Sequence, residues 1–254
     1  MQPLFFQAAE YLPYREETQP MALAWRTIET VQTDEGLLEL RQRGERDFLI
    51  CVDGRVLMNS MAHRSEKALG ELACAHLKTA AQSRVLVGGL GMGFTLRAIL
   101  DTLPSSARIE VAELNPVVEA WCRGPLAALT DSAVTDARVG VNITNVTHLI
   151  RRHAADDARG RLDAIILDLY TGPYMHSHKR DDPLFGSIAI QRTKAALKRG
   201  GVFAVWGEDY DAGFIKRLKQ AGFQTAHHQS RRGGFRHVVY LGTKPGPKRP
   251  LIHK

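Results

Sequence analysis

Cysteine is scarce in this chain. Cys51, Cys74 and Cys122 are its only thiols, and no two of them share a paired spacing. That argues against a disulfide framework and against a cysteine-based zinc site, and it suits a reducing compartment. Long apolar runs are missing too: none approaches the roughly 20 residues of a membrane-spanning helix. The segment from Met1 to Gln7 has neither a basic region nor a long apolar stretch, so no signal peptide and a cytoplasmic location are expected. No internal repeat is present. Charge of one sign does not dominate. The formal balance is +7, and Lys244, Lys248, Arg249 and Lys254 supply +4 of it. The basic excess is therefore largely a property of a Pro-rich tail. A nucleic-acid footprint needs clustered Lys/Arg interleaved with aromatics. Only the stretch from Arg231 to Arg236 hints at one, so neither nucleic acid nor a membrane is expected as a partner.

What is present centres on the stretch from Val85 to Leu100. An apolar run, Val85 to Val87, leads into Gly88, Gly89, Gly91 and Gly93. A segment with apolar residues at Phe94, Leu96, Ile99 and Leu100 follows. Strand, glycine turn and helix in this order form the opening unit of an open α/β sheet. Glycine lets the backbone turn sharply or touch a ligand, and the helix start offers free N–H groups.

The chain divides into three expected parts. Residues 1–62 make an arm and a small antiparallel β unit of about four strands, with Asp53-Gly54 as its strongest hairpin signal. Residues 63–243 make a nucleoside-binding α/β domain, and residues 244–254 a basic tail. Ser65 is expected to cap a helix running to about Thr79. Further strands are expected at Ala107–Leu114, Arg138–Ile143, Leu162–Leu169 and Gly201–Trp206. The helix before the last of these is expected to end at Lys198 to Gly201. Asn115-Pro116 and Asp211 read as helix starts. Two β runs, Phe223–His228 and His237–Leu241, close the domain as an antiparallel hairpin. Such a sheet puts its ligand at the carboxyl ends of its strands, here Gly89 to Gly93, Glu113, Asn142 to Asn145 and Asp168 to Tyr170.

Glu113 stands about 20 residues beyond the glycine turn, where an acid accepts ribose hydroxyls. The spacing Gly89-x-Gly91-x-Gly93 differs from the dinucleotide pattern G-x-G-x-x-G. With the closing hairpin it resembles the class I S-adenosylmethionine-dependent methyltransferases. That resemblance places Asn145 against the adenine, although a plain loop asparagine reads as well. The β-rich start, the glycine turn followed by Leu96-Arg97, Glu113 and an Asp closing the fourth strand resemble the spermidine synthase (polyamine aminopropyltransferase) family. The similarity spans roughly residues 25–242. It implies a Rossmann-like fold, S-adenosylmethionine or its decarboxylated form as co-substrate, no metal, a homo-oligomer, and Asp168 as the base that takes a proton from the attacking amine. The donor site then holds Gly89, Gly91, Gly93, Glu113 and Asn145.

Three departures bear on the substrate. The family carries an Asp where this chain has Met92, a second acid where it has Thr171, and Tyr-His-Glu where it has Arg64-Ser65-Glu66. Loss of acids argues against a doubly charged diamine and opens the way to S-adenosylmethionine, whose carboxylate Arg64 or Arg97 would meet. Methyl transfer to a small nucleophile, preferably an amine, is the favoured expectation. Aminopropyl transfer and a non-catalytic nucleoside sensor or scaffold are the alternatives. Tyr170 and Tyr174 are expected to wall the acceptor pocket, and Asn59 and His63 to face the substrate from the β unit. His176 and His178 offer a second base or, as an exposed loop pair without a third ligand, nothing; no metal is expected there.

Overall fold

The computed structural model describes residues 23–155, 161–170, 172–173, 180–229 and 237–246. Four strands, β1 (Arg26–Thr33), β2 (Gly36–Arg43), β3 (Asp47–Val52) and β4 (Arg55–Asn59), form an antiparallel meander in chain order. The tight β3–β4 turn is possible because Asp53 and Gly54 both adopt positive φ, 46° and 75°, the geometry that matches strand twist. Leu38, Leu40, Phe48 and Ile50 alternate onto one buried face of this sheet. They join Leu69 and Ala73 of helix α1 (Arg64–Cys74) and Val85 and Val87 of β5 (Arg84–Gly88) in one apolar cluster. The small sheet is therefore packed onto the larger one through a shared core.

The second sheet has seven strands in the order β10-β11-β9-β8-β5-β6-β7. β6 (Arg108–Glu113) and β7 (Val139–Ile143) lie on one side of β5; β8 (Leu162–Leu167) and β9 (Leu197–Gly207) lie on the other. These five are parallel. β11 (Val238–Thr243) runs antiparallel to β9, and β10 (Gln224–Gln229) pairs with β11 outside it. The crossovers carry α2 (Phe94–Thr102), α3 (Pro116–Arg123), α4 (Val146–Ala155) and α5 (Ser187–Ala196), and α6 (Ala212–Gln220) precedes the closing hairpin. Val85 to Val87 and Ala164 to Leu167 are buried throughout, as strands covered on both faces must be. This is the expected class: a class I methyltransferase-like, Rossmann-like parallel sheet closed by an antiparallel C-terminal hairpin and preceded by a small antiparallel β unit.

Two local expectations fail for identifiable reasons. Helix α1 begins at Arg64 after His63, with no side-chain cap; Ser65 is inside it and its hydroxyl is engaged elsewhere. The α5 helix stops at Ala196, and Lys198 to Gly201 belong to β9, where the register shifts against β8. Lys244 holds that bulge: Gly200 N–H donates to its carbonyl (2.8 Å) and its N–H donates to Gly201 (2.9 Å). The Lys244 ammonium also caps α5 by donating to the carbonyls of Lys194 (2.7 Å) and Leu197 (2.6 Å). Asp211 caps α6 as expected, accepting from Gly213 N–H at 2.7 Å. Among the described residues no helix is long and apolar enough to cross a membrane.

The order of strands reverses at β5, because its successors leave to opposite sides. Gly89 sits at that point with φ 90°. A Cβ there would lie 2.2 Å from the Asp168 carbonyl oxygen, an impossible contact with backbone. Gly89→Ala is expected to cost about 2 kcal/mol or more in chemical denaturation, combining strain and steric conflict. Gly140→Ala, in β7 with nothing within 4 Å of the added carbon, should be neutral or slightly stabilising. Equal effects from the two substitutions would contradict this reading.

Candidate active site

A cavity opens at the carboxyl ends of β5, β6 and β8, roofed by the small sheet. Its wall includes Gly89, Gly91, Glu113, Asn145, Asp168 and Tyr170 from the expected set, together with Glu35, Leu57, Met58, Glu66 and Trp206. Gly93 is not part of the wall; it ends the turn at the start of α2, beneath Thr130. Asn59 and His63 do not reach the cavity either. Asn59 closes a turn by accepting from the N–H groups of Met61 and Ala62, both at 2.9 Å. His63 stacks on Phe94 with ring centres 4.1 Å apart and lines a separate cleft with Arg97 and Lys67. Tyr174, Thr171, His176 and His178 lie outside the described residues.

Glu113 is 8% exposed at the end of β6. Its carboxylate accepts from Leu90 N–H and from Asn115 N–H, each at 2.9 Å. Burial raises its pKa and the Glu35 charge adds to that, while the Asn115 and Leu90 donors oppose them. Each carboxylate oxygen has a second lone pair, so Glu113 can still accept from a ligand. Asn145 uses its Oδ1 to cap α4 through Thr147 N–H at 2.9 Å; the amide nitrogen is what it can offer to the cavity.

Asp168 follows β8 and is fixed on two sides. Its N–H donates to the Gly88 carbonyl at 2.8 Å. Its Oδ2 lies 2.6 Å from the Thr95 hydroxyl, which also stands 3.1 Å from the Glu66 carbonyl. One hydroxyl proton cannot serve both acceptors. Both are satisfied when Asp168 is protonated and donates to Thr95, which in turn donates to Glu66. Burial, then the charge of Glu66, push the Asp168 carboxyl up to about 7 against the Thr95 bond. Glu66, in the first turn of α1, is itself only 7% exposed.

At the mouth, Glu35 reaches from the β1–β2 turn across to the α/β domain. It accepts from Asn115 Nδ2 at 2.6 Å and from the Tyr170 hydroxyl at 3.3 Å. Four carboxylates thus face one cavity: Glu35, Glu66, Glu113 and Asp168. Neither Arg64 nor Arg97 is in its wall, so the expected cation for a donor carboxylate does not come from them; Arg97 pairs with Asp101 at 2.6 Å. Met92 is fully buried in the core, its N–H donating to the Met58 sulfur at 3.2 Å. Its side chain fills apolar space instead of meeting substrate. Sequence reasoning met Glu66 only as the acid that persists in Arg64-Ser65-Glu66, and it missed Glu35, Met58 and Thr95, which carry no local signal.

A carboxyl whose folded pKa is raised contributes stability that is complete below the unfolded value near 4 and lost as pH rises through about 7. Relative to the parent protein, Asp168→Asn should therefore gain about 4 kcal/mol between pH 4 and pH 8. Thermal denaturation across that range measures it; a difference independent of pH would mean that Asp168 carries no raised pKa.

No protein-family model and no curated protein matches the sequence. Solved structures do match in shape. A spermidine synthase in complex with the transition-state analogue AdoDATO superposes with a TM-score of 0.66 at 21% identity, over 86% of this chain and 72% of that one. The spermidine synthase of Thermotoga maritima gives 0.64 at 21% identity, with the same two coverages of 86% and 72%. Human methyltransferase-like protein 13 in complex with SAH gives 0.51 at 20% identity, over 75% of this chain and 83% of that one. At these identities the likeness is one of architecture. The chain has a spermidine synthase-like fold of the class I methyltransferase type.

Proposed function

We propose that this chain is a transferase that uses an S-adenosylmethionine-type sulfonium nucleoside and delivers the carbon group on sulfur to an amine. The observation that carries this is the set of four carboxylates facing one cavity at the switch point of the sheet. Sulfonium and ammonium are cations, and a cation leaving water needs anionic partners. The remaining wall suits the rest of the donor. Gly89 and Gly91 allow close backbone approach, Glu113 can accept ribose hydroxyls, and Leu114, Val118 and Val146 offer apolar surface to a flat purine.

Asp168 is the base in this reading. An ammonium nitrogen has no lone pair, so it must lose a proton before it attacks. A carboxyl with a pKa of about 7 is ionised and still basic near neutral pH. The amine lone pair then forms the C–N bond while the C–S bond breaks, and its electrons neutralise sulfur. Alignment and exclusion of water supply the rest of the acceleration.

The charge of the cavity favours aminopropyl transfer from decarboxylated S-adenosylmethionine, whose terminal amine would meet Glu66 or Asp168. Methyl transfer was favoured in the sequence because Arg64 or Arg97 would meet a donor carboxylate, and neither lines the cavity. The by-product separates the two. With decarboxylated donor and a diamine, methylthioadenosine is expected; S-adenosylhomocysteine from S-adenosylmethionine would establish methyl transfer instead. Binding of either donor without turnover would establish the sensor reading. Turnover should rise with pH through about 7, and Asp168→Asn should keep donor affinity while losing about 100-fold or more in kcat. Glu113→Ala should weaken donor binding about tenfold or more in calorimetry; unchanged affinity would remove Glu113 from the donor site.

A further inference from the structure

The Glu66–Asp168 pair is connected to a third group that the proposed chemistry does not use. The Ser65 hydroxyl donates to Glu66 Oε2 at 2.7 Å and stands 3.0 Å from His237 Nδ1. His237 immediately precedes β11 and is half-buried, with the Trp206 ring set edgewise against it at 4.8 Å between centres. Trp206 is in the cavity wall. Because the single Ser65 proton goes to Glu66, the imidazole must be the donor toward Ser65 in this arrangement. His237, Ser65 and Glu66 thus form a directed row of hydrogen bonds. It runs from the cavity to a ring that is partly open to solvent, and each member can reverse its donor and acceptor roles.

We propose that Ser65 and His237 form a proton relay that drains the Glu66–Asp168 pair during turnover. This rests on the amine-transfer reading above. Joining an ammonium R–NH3⁺ to the carbon on a sulfonium gives a secondary ammonium R–NH2⁺–R′, a neutral thioether and one released proton. That proton is taken by the two carboxylates, which act as one site because they line one cavity and the charge of one raises the pKa of the other; Thr95 holds Asp168 Oδ2 against the main-chain carbonyl of Glu66, at the base of the same helix turn. It leaves once the imidazole has exchanged through solvent to the tautomer protonated on Nε2, which frees the Nδ1 lone pair: protonated Glu66 then donates to Ser65 Oγ while Ser65 passes its own proton to His237 Nδ1. The imidazolium so formed exchanges with solvent, and the pair is again able to accept. Among the described residues, the other ionisable carboxylates in the cavity wall are Glu35 and Glu113, and no Lys, Arg or His lines it. Ser65 and His237 act through Glu66 and need not touch the substrate.

The test uses Ser65→Ala and His237→Gln in the full chain. Donor affinity by calorimetry should stay within about twofold, while kcat falls about tenfold or more. The acid limb of the kcat–pH profile should move upward in Ser65→Ala, where the carboxylate pair loses the Ser65 hydroxyl. Free imidazole should restore part of the activity of His237→Ala. An unchanged pH profile in Ser65→Ala, or a fall in donor affinity that matches the fall in kcat, would overturn the relay. A second measurement does not depend on turnover. Infrared titration follows the protonated-carboxyl band of the pair, expected with a midpoint near pH 7 in the parent protein. In Ser65→Ala the midpoint for uptake of that proton should rise by about one pH unit. If neither donor is turned over, the transfer reading fails on its own, and an unshifted band in Ser65→Ala is what rejects the relay.

Discussion

Everything at the cavity depends on how closely two strand ends approach. β5 and β8 are neighbours, and Asp168 N–H bonds to the Gly88 carbonyl at the point where both strands finish. The chain must then turn away over the Asp168 carbonyl with no room for a side chain, which only glycine at position 89 permits. That contact puts the glycine turn and the acid of β8 at the same height, on the same rim. It also fixes where α2 starts. Thr95, in the first turn of α2, is thereby brought within 2.6 Å of Asp168. One steric constraint thus sets the glycine turn, the proposed base and the hydroxyl bonded to it.

The charge arrangement works against stability and toward binding. The buried or half-buried carboxyl groups at the rim have few hydrogen-bond partners among the described residues: two backbone N–H groups for Glu113, one hydroxyl each for Glu66 and Asp168. Those bonds offset part of the desolvation, and mutual repulsion adds to what remains. A cationic ligand relieves both. Clustering acids at a strand switch point is thus a mild destabilisation of the empty protein that becomes affinity and orientation when a cation binds.

The sequence made some of this legible and hid the rest for physical reasons. That Gly89, Gly91, Glu113 and Asp168 would meet at one cavity was legible because each sits at a fixed offset from a local pattern: an apolar strand followed by a turn. The fold class was readable for the same reason, through the alternation of buried strands with amphipathic helices. Ser65 was misread as a cap because cap preference is local, whereas its partner His237 lies 172 positions away. Glu35 and Met58 reach the cavity only because the small sheet docks there, and docking depends on a shared core that no single window contains. Met92 was read as a substrate-facing position because it aligns with one in a related family; its burial follows from the path of the turn, which alignment alone does not give.

The strand order has a consequence for how the molecule comes together. β11 is the last described strand in the chain, yet it lies between β9 and β10. Until it arrives, β9 is an open edge, with Val202, Phe203, Ala204 and Val205 destined for full burial, and β10 has nothing to pair with. Unpaired apolar edges recruit other chains. The interval between synthesis of β9 and insertion of β11 is therefore the stage at which this protein is most open to aggregation. The sheet seals from the inside outward, with the hairpin folding back to insert its own second arm.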